Sequence, residues 1–133
     1  ILTYSLESTV AEKIDAIVTL MEFTGRMKDF YDIYYLAITF EFEGRKLQEA
    51  IYETLTNRNR MYERDTISSI ARLTEDSGIQ KRWANFCNKI LNDELDLSDV
   101  VRVITDFIAP PYQAIDNEDE FFGKWDYKEG KYT

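Results

Sequence analysis

The stretch GRMKDFYDIYYL, residues 25–36, combines an apolar helix pattern with four charged residues inside two turns. Asp29 and Asp32 lie across the helix from the apolar face, and in a helical projection Leu36 lies between them. An apolar residue between two carboxylates suggests that this second face is also covered. Asp29 can equally pair with Arg26 at i, i+3, and Asp32 with Lys28 at i, i+4, as a solvated ladder. The pattern alone leaves both interpretations open. The broad apolar face comprises Met27, Phe30, Tyr31, Tyr34, Ala37 and Ile38.

The preceding helix, expected from Ser5 to Glu22, carries a lysine inside its apolar stripe. At about 100° per residue, Lys13 falls in the same narrow sector as the apolar residues. Burying an unpaired ammonium is costly, so Lys13 must reach solvent, pair with a carboxylate or face a pocket that admits an anion. The opposite face, with Glu12, Asp15, Thr19 and Glu22, is predicted to be solvated. The stripe consists of Leu6, Val10, Ile17 and Leu20.

Helices joined by short turns account for most of the remaining sequence. The chain should form an all-α bundle of about five to six helices, residues 1–115, followed by an irregular aromatic tail, residues 116–133. Phe121, Phe122 and Trp125 of this tail are expected to dock on the bundle. Asp65 is a plausible N-cap, and Pro110 with Pro111 should stop the last helix. The later helices are predicted at Arg26–Phe40, Arg45–Thr56, Asp65–Leu73, residues 79–91 and from Ser98.

Composition limits the classes of function. The chain has 133 residues, a size typical of one domain, and 44% of them are hydrophobic, as in soluble globular proteins. Its net charge of −9 disfavours non-specific binding to nucleic acid or anionic membranes by the chain as a whole. It has no histidine, which removes Ser-His-Asp and Cys-His catalysis. Cys87 reads as a packing thiol, and no apolar run approaches the roughly 20 residues of a membrane span. We expect a cytoplasmic protein.

Two segments interleave basic and aromatic residues, a pattern that suits RNA because phosphates are neutralised and bases can stack. The signal is weak, and in an acidic chain solvated helix ends are the favoured explanation of the same pattern. An RNA-binding domain would need Arg58, Arg60, Lys81 and Arg82 to converge on one surface. The segments are RNRMYER, with Arg58, Arg60 and Arg64, and KRWANFCNK, with Lys81, Arg82 and Lys89.

SLESTVAEKIDAI, residues 5–17, followed by GRMKDFYDIYYL, resembles the two C-terminal motifs of the AbiEii-type nucleotidyltransferases. These are toxins of type IV toxin–antitoxin systems and include phage abortive-infection proteins of bacteria. The resemblance covers about a quarter of the chain, from Tyr4 to Ile38. The residues that carry the first motif are Glu7, Lys13 and Ala16, and those of the second are Arg26, Asp29, Asp32 and Ile33.

The resemblance implies roles for both anomalous groups of charges. Lys13 would contact nucleotide phosphates, and Asp29 would be the base that takes a proton from an acceptor hydroxyl. Asp32 and Arg26 would orient this base or tie the helices together. The reaction would be Mg²⁺-dependent transfer of a nucleotide from an NTP to an RNA or protein acceptor.

The family's Gly-Gly/Ser and Ser-x-Asp-x-Asp motifs do not occur in the sequence. We therefore expect the helical C-terminal half of a longer enzyme, inactive alone, whose N-terminal catalytic α/β domain is absent from this chain. Mg²⁺ and NTP would bind in the full-length parent, with no metal site and no cofactor on this chain alone. Its partners would be that N-terminal domain, an antitoxin and an acceptor, with no membrane. The rival hypothesis is a free-standing helical module that binds an antitoxin or RNA and does not catalyse.

Overall fold

A computed structural model describes residues 5–59 and 63–133 of the chain. These residues form six α-helices and three short strands, which confirms the expected helical architecture with aromatic residues toward the C-terminus. Single turns of 3₁₀ or π-helix follow α1, α4 and α5. The helices are α1 (Leu6–Leu20), α2 (Met27–Thr39), α3 (Gly44–Asn57), α4 (Thr66–Ala71), α5 (Ser77–Phe86) and α6 (Leu97–Asp116). The strands are β1 (Phe42–Glu43), β2 (Lys124–Asp126) and β3 (Lys131–Tyr132).

Side-chain caps start three of the helices. Ser5, Asp76 and Asp96 have extended backbones, and their side chains accept hydrogen bonds from backbone N–H groups of α1, α5 and α6. Asp65 stands at the corresponding position of α4, but its side chain caps nothing. The predicted cap is wrong because Asp65 has φ −94° and ψ 6°, outside the extended region from which a cap residue reaches the first turn.

The last helix does not stop at Pro110 and Pro111, contrary to the prediction. It continues through both prolines to Asp116. A proline has no N–H, so the carbonyl four residues before it loses its helical donor. For Pro111 that carbonyl belongs to Phe107, and the hydroxyl of Tyr132 donates to it at 2.6 Å. The C-terminal segment thus supplies a donor in place of the N–H that Pro111 lacks.

Four helices contribute most of the core residues. Helix α1 packs against α2 and α3, and α6 packs against the same two helices. Helices α4 and α5 cover this group by contacts with α6 and α2. None of the helices in the described ranges is long and apolar enough to cross a membrane. The core residues contributed by α1 are Val10, Ala11, Ile14 and Ile17, and those from α6 include Val100, Ile104, Phe107 and Ile108.

The three strands form one small antiparallel sheet in the order β1-β2-β3. Trp125 pairs with Phe42 on one side and with Tyr132 on the other. Its side chain is 1% exposed, and its Nε1 donates to the carbonyl of Ala37 at 2.7 Å. Phe122, by contrast, is 72% exposed. The residues after α6 therefore pack on α2 and α6 through Trp125.

Candidate functional site

Lys13 of α1 and the two aspartates of α2 meet where these helices pack together. The Nζ of Lys13 lies 3.4 Å from Oδ1 of Asp29 and 2.9 Å from Oδ2 of Asp32. The side chain of Lys13 is 19% exposed, so this lysine neither leaves the apolar stripe for bulk water nor stays unpaired. The sequence left three outcomes open for Lys13. In the structure it pairs with carboxylates, and it also lines a cleft.

Asp29 is the more deeply buried of the two aspartates. Its side chain is 1% exposed, and Oδ1 accepts a hydrogen bond from Lys13. The other oxygen, Oδ2, lies 3.3 Å from Nε of Arg26 but takes part in no hydrogen bond. Buried polar atoms are nearly always hydrogen-bonded, so an exception marks a candidate for function. The covered second face of α2 suggested by the sequence is present at Asp29.

Asp32 links two lysines. Its Oδ2 is 2.9 Å from Nζ of Lys13 and 2.7 Å from Nζ of Lys28, and its side chain is 20% exposed. Burial by itself favours the neutral acid, but the hydrogen bonds and charges of Lys28 and Lys13 outweigh it and hold the pKa of Asp32 below its ordinary value. Burial likewise opposes the ammonium of Lys13, yet Asp32 and then Asp29 raise the pKa of Lys13. Both groups therefore stay charged at neutral pH.

The charged group opens onto a cleft of about 470 Å³ between α1, the start of α2 and the end of α3. We call it the lysine cleft. Its polar lining brings Lys13 and Asp29 together with two arginines, one of them Arg26 and the other Arg58. Ala16, the small residue of the first motif, also lines it. The remaining lining residues are Thr9, Glu12, Asp15, Thr19 and Leu20.

The sequence pattern misplaces Asp15. It was expected on a solvated face, but it is 2% exposed, and its Oδ2 lies 3.2 Å from Nη1 of Arg58. Helix α3 packs along α1 and covers this position, whereas Thr19 and Glu22 are exposed as predicted. Arg58 is the site residue that the catalytic prediction missed. Its basic charge was visible in the sequence, but nothing local placed it beside Lys13.

Of the four cations that an RNA-binding surface would require, the three that the structure describes do not line one cleft. Arg58 lies in the lysine cleft, and Arg82 lines a separate one. Lys81 lines neither of the two, and Arg60 lies outside the described residues.

The carboxylates of the site do not form a ligand set for Mg²⁺. In the parts of the chain that the structure describes, no three His, Cys, Asp or Glu side chains group closely enough to hold a metal ion. Mg²⁺ requires near-octahedral oxygen ligation, but the oxygens of Asp29 and Asp32 face ammonium and guanidinium groups. We therefore assign no metal ligand among the described residues.

Comparison with known proteins gives one result. The family model described as nucleotidyl transferase AbiEii toxin, type IV TA system, matches residues 1–117. No curated protein and no solved structure matches the chain. The matched range includes the whole lysine cleft and both charged motifs.

Proposed function

We propose that this chain, which belongs to the AbiEii family of nucleotidyl transferase toxins of type IV toxin–antitoxin systems, supplies a phosphate-binding lysine and a general base to nucleotide transfer. The observation that carries the proposal is the buried carboxylate of Asp29. Oδ1 accepts a hydrogen bond from Lys13, Oδ2 is buried without a hydrogen-bond partner 3.3 Å from Nε of Arg26, and the residue lines the lysine cleft.

Lys13 is the group for the nucleotide phosphates. An ammonium has three donors, and Asp29 with Asp32 can occupy two of them, so one remains for an anion in the lysine cleft. Because Asp32 and Asp29 raise the pKa of Lys13, the lysine carries its positive charge when the phosphates arrive. A fixed cation of this kind stabilises the negative charge that spreads over the phosphoryl oxygens during transfer.

Asp29 is the proposed general base. The acceptor hydroxyl attacks the α-phosphorus of the NTP, and its proton passes to the carboxylate of Asp29. The new O–P bond forms as the bond to the leaving pyrophosphate breaks. Arg26 and Asp32 are positioning residues in this scheme, since each holds the base or the lysine from one side.

Mg²⁺ and the remaining contacts to the NTP are proposed to come from an N-terminal nucleotidyltransferase domain of a longer parent protein. An antitoxin is the expected protein partner of a type IV toxin, and the acceptor is an RNA end or a protein. The alternative is a helical interaction module, in which Lys13, Asp29 and Asp32 only tie α1 to α2.

The test is nucleotide transfer by the full-length protein that carries this chain, with labelled NTP. Asp29→Asn should lower the rate about 10²–10⁴-fold while NTP binding persists, because the base is lost but the lysine is kept. Lys13→Gln should weaken both NTP binding and turnover. Lys46→Gln is the matched control, since Lys46 also pairs with a carboxylate but is 67% exposed on α3.

Thermal unfolding of each variant separates catalysis from architecture. Lys13→Gln leaves the buried Asp29 with less compensation, so some loss of stability is expected alongside the loss of activity. Transfer at the parent rate by a folded Lys13→Gln or Asp29→Asn protein would contradict the assignment. If the loss of transfer activity in each variant only matches the loss of folded protein, the result would favour the interaction module.

A further inference from the structure

A second cleft lies where α2 begins and α5 passes beside it. It measures about 480 Å³, and four of its nine lining residues are cations, whereas none is a carboxylate. We call it the basic cleft. This lining contrasts with the whole chain, in which acidic residues outnumber basic ones by 25 to 16. The cations are Arg26, Lys28, Arg82 and Lys89, and the other lining residues are Gly25, Met27, Asn85, Phe86 and Ile90.

Two of these cations are not neutralised by carboxylates. Arg26 and Lys28 pair with Asp29 and Asp32, but in the described ranges Arg82 and Lys89 form no ion pair. Arg82 is held in place by donating from Nη2 to the carbonyl of Glu22 at 2.5 Å, and its Nε is buried without a hydrogen-bond partner. The cleft therefore has positive charge available for an anion.

The start of α2 lines the same cleft. Gly25, Arg26, Met27 and Lys28 all line it, and no side chain caps this helix. The first N–H groups of a helix have no partner within it, and the helix dipole gives them partial positive charge. An uncapped N-terminus beside four cations is a favourable place for phosphate groups.

The basic cleft and the lysine cleft are neighbours that share one lining residue. Arg26 lines both of them. In addition, Lys28 of the basic cleft and Lys13 of the lysine cleft contact the same oxygen of Asp32. A strand whose phosphates lie along the basic cleft would thus bring its end close to Asp29.

We propose that the basic cleft binds the sugar-phosphate backbone of a single RNA strand and directs its terminal hydroxyl to Asp29. This step rests on the proposed function for the role of Asp29, but the binding surface itself does not. Charge complementarity favours a polyanion, and the apolar lining favours one that carries bases. Ile90 is 71% exposed in this lining beside Phe86, which gives bases an apolar surface.

The test measures binding of a labelled single-stranded RNA oligonucleotide to the full chain as salt is raised. Arg82→Gln combined with Lys89→Gln should weaken binding about tenfold at low salt. It should also reduce the slope of log K against log salt by about 1.4, since each neutralised phosphate of a single strand contributes about 0.7. Lys89→Glu alone, an exposed position, provides the same readout if the Arg82 variant does not fold.

The matched control removes the same charge elsewhere. Lys81→Gln with Arg102→Gln changes one lysine of α5 and one exposed arginine of α6, both outside the basic cleft. An equal loss of binding in this control, or RNA binding unchanged in both double variants, would overturn the proposal. Polyglutamate that binds as tightly as RNA and with the same dependence on Arg82 and Lys89 would also overturn it and assign the cleft to an acidic protein segment.

Lys13→Gln distinguishes this proposal from the proposed function. It should retain RNA binding while transfer is lost. If transfer survives in Lys13→Gln but RNA binding still depends on Arg82 and Lys89, the basic cleft stands and the catalytic role of Lys13 falls. If transfer depends on Lys13 but RNA binding does not depend on Arg82 and Lys89, the catalytic role of Lys13 stands and the basic cleft is not the RNA-binding surface.

Discussion

Asp29 is a carboxylate that the fold removes almost completely from water, and two cations replace the lost hydration. It lies in the first turn of α2, where the helix dipole also favours negative charge. Asp32, one turn further along, is 20% exposed and shares its oxygen between two lysines. The two aspartates therefore differ in what they can do. One oxygen of Asp29 is buried outside any hydrogen bond, whereas one oxygen of Asp32 contacts both Lys13 and Lys28.

The lowered pKa of Asp32 predicts an acid-dependent contribution to stability. Because the pKa is lower in the folded chain than its ordinary value of 3.8, the contribution is present above 3.8 and is lost as pH falls through the folded value. Asp32→Asn should be about 1 kcal/mol less stable than the parent at pH 6, with the difference shrinking below pH 3.8. Urea unfolding from pH 7 to pH 3 measures this difference.

Asp99→Asn is the control for that experiment, since Asp99 pairs with Arg102 at an exposed position of α6. Its stability difference should be small throughout. A difference for Asp32→Asn that stays constant down to pH 3 would contradict a role for the ionised carboxylate in stability.

Local pattern identified Lys13 because a charge inside an apolar stripe must be compensated, whatever the fold. It could not identify which carboxylate is buried, since Asp29 and Asp32 both lie opposite the apolar face of α2. It failed at Asp15 because α1 is covered on two sides, and only the path of α3 decides that. The periodicity of one helix cannot predict the burial of residues that a neighbouring helix covers.

At the scale of elements, α6 shows how a distant contact overrides a local rule. Two adjacent prolines ordinarily end a helix because they remove N–H donors and crowd the preceding turn. Here the carbonyl of Phe107 regains a donor from Tyr132, which lies 25 residues away in β3. Burial raises the pKa of Tyr132, so its hydroxyl keeps the proton that it donates. No property of the sequence near Pro111 indicates this contact.

Tyr132→Phe should therefore lower the free energy of unfolding by about 1–3 kcal/mol, because it leaves the carbonyl of Phe107 without a donor. Chemical denaturation measures the loss, and Tyr127→Phe, at a position with 36% exposure, should change it by less than about 0.5 kcal/mol. In a Pro111→Ala background the helix supplies its own N–H, so the cost of Tyr132→Phe should shrink. An undiminished cost in that background would contradict this account of the double proline.

At the scale of the molecule, the helices could be predicted because each carries an apolar period, but the sheet could not. Its strands have two or three residues, too few for an alternating pattern to appear. Pairing sets them instead. Gly44 donates its N–H to the carbonyl of Gly123 at 2.7 Å, and a Cβ at Gly44 would lie 2.5 Å from that oxygen. The approach of residues 121–133 to α3 thus requires a glycine at position 44. The sequence alone indicates only a helix boundary there.

Trp125 gives the last prediction, because it lies beyond the residues matched by the family model yet within the core. Its ring contacts those of Phe107 and Tyr132, and its indole donates to Ala37 of α2, the helix that carries Asp29. Trp125→Ala should cost about 3–5 kcal/mol of folding stability, since it opens a cavity and leaves a carbonyl unsatisfied. Phe122→Ala, at a 72% exposed aromatic three residues earlier, should cost less than about 0.5 kcal/mol. Equal effects of the two substitutions on thermal unfolding would mean that the segment after α6 is an appendage, whereas the expected difference makes it part of the support for α2 and its aspartates.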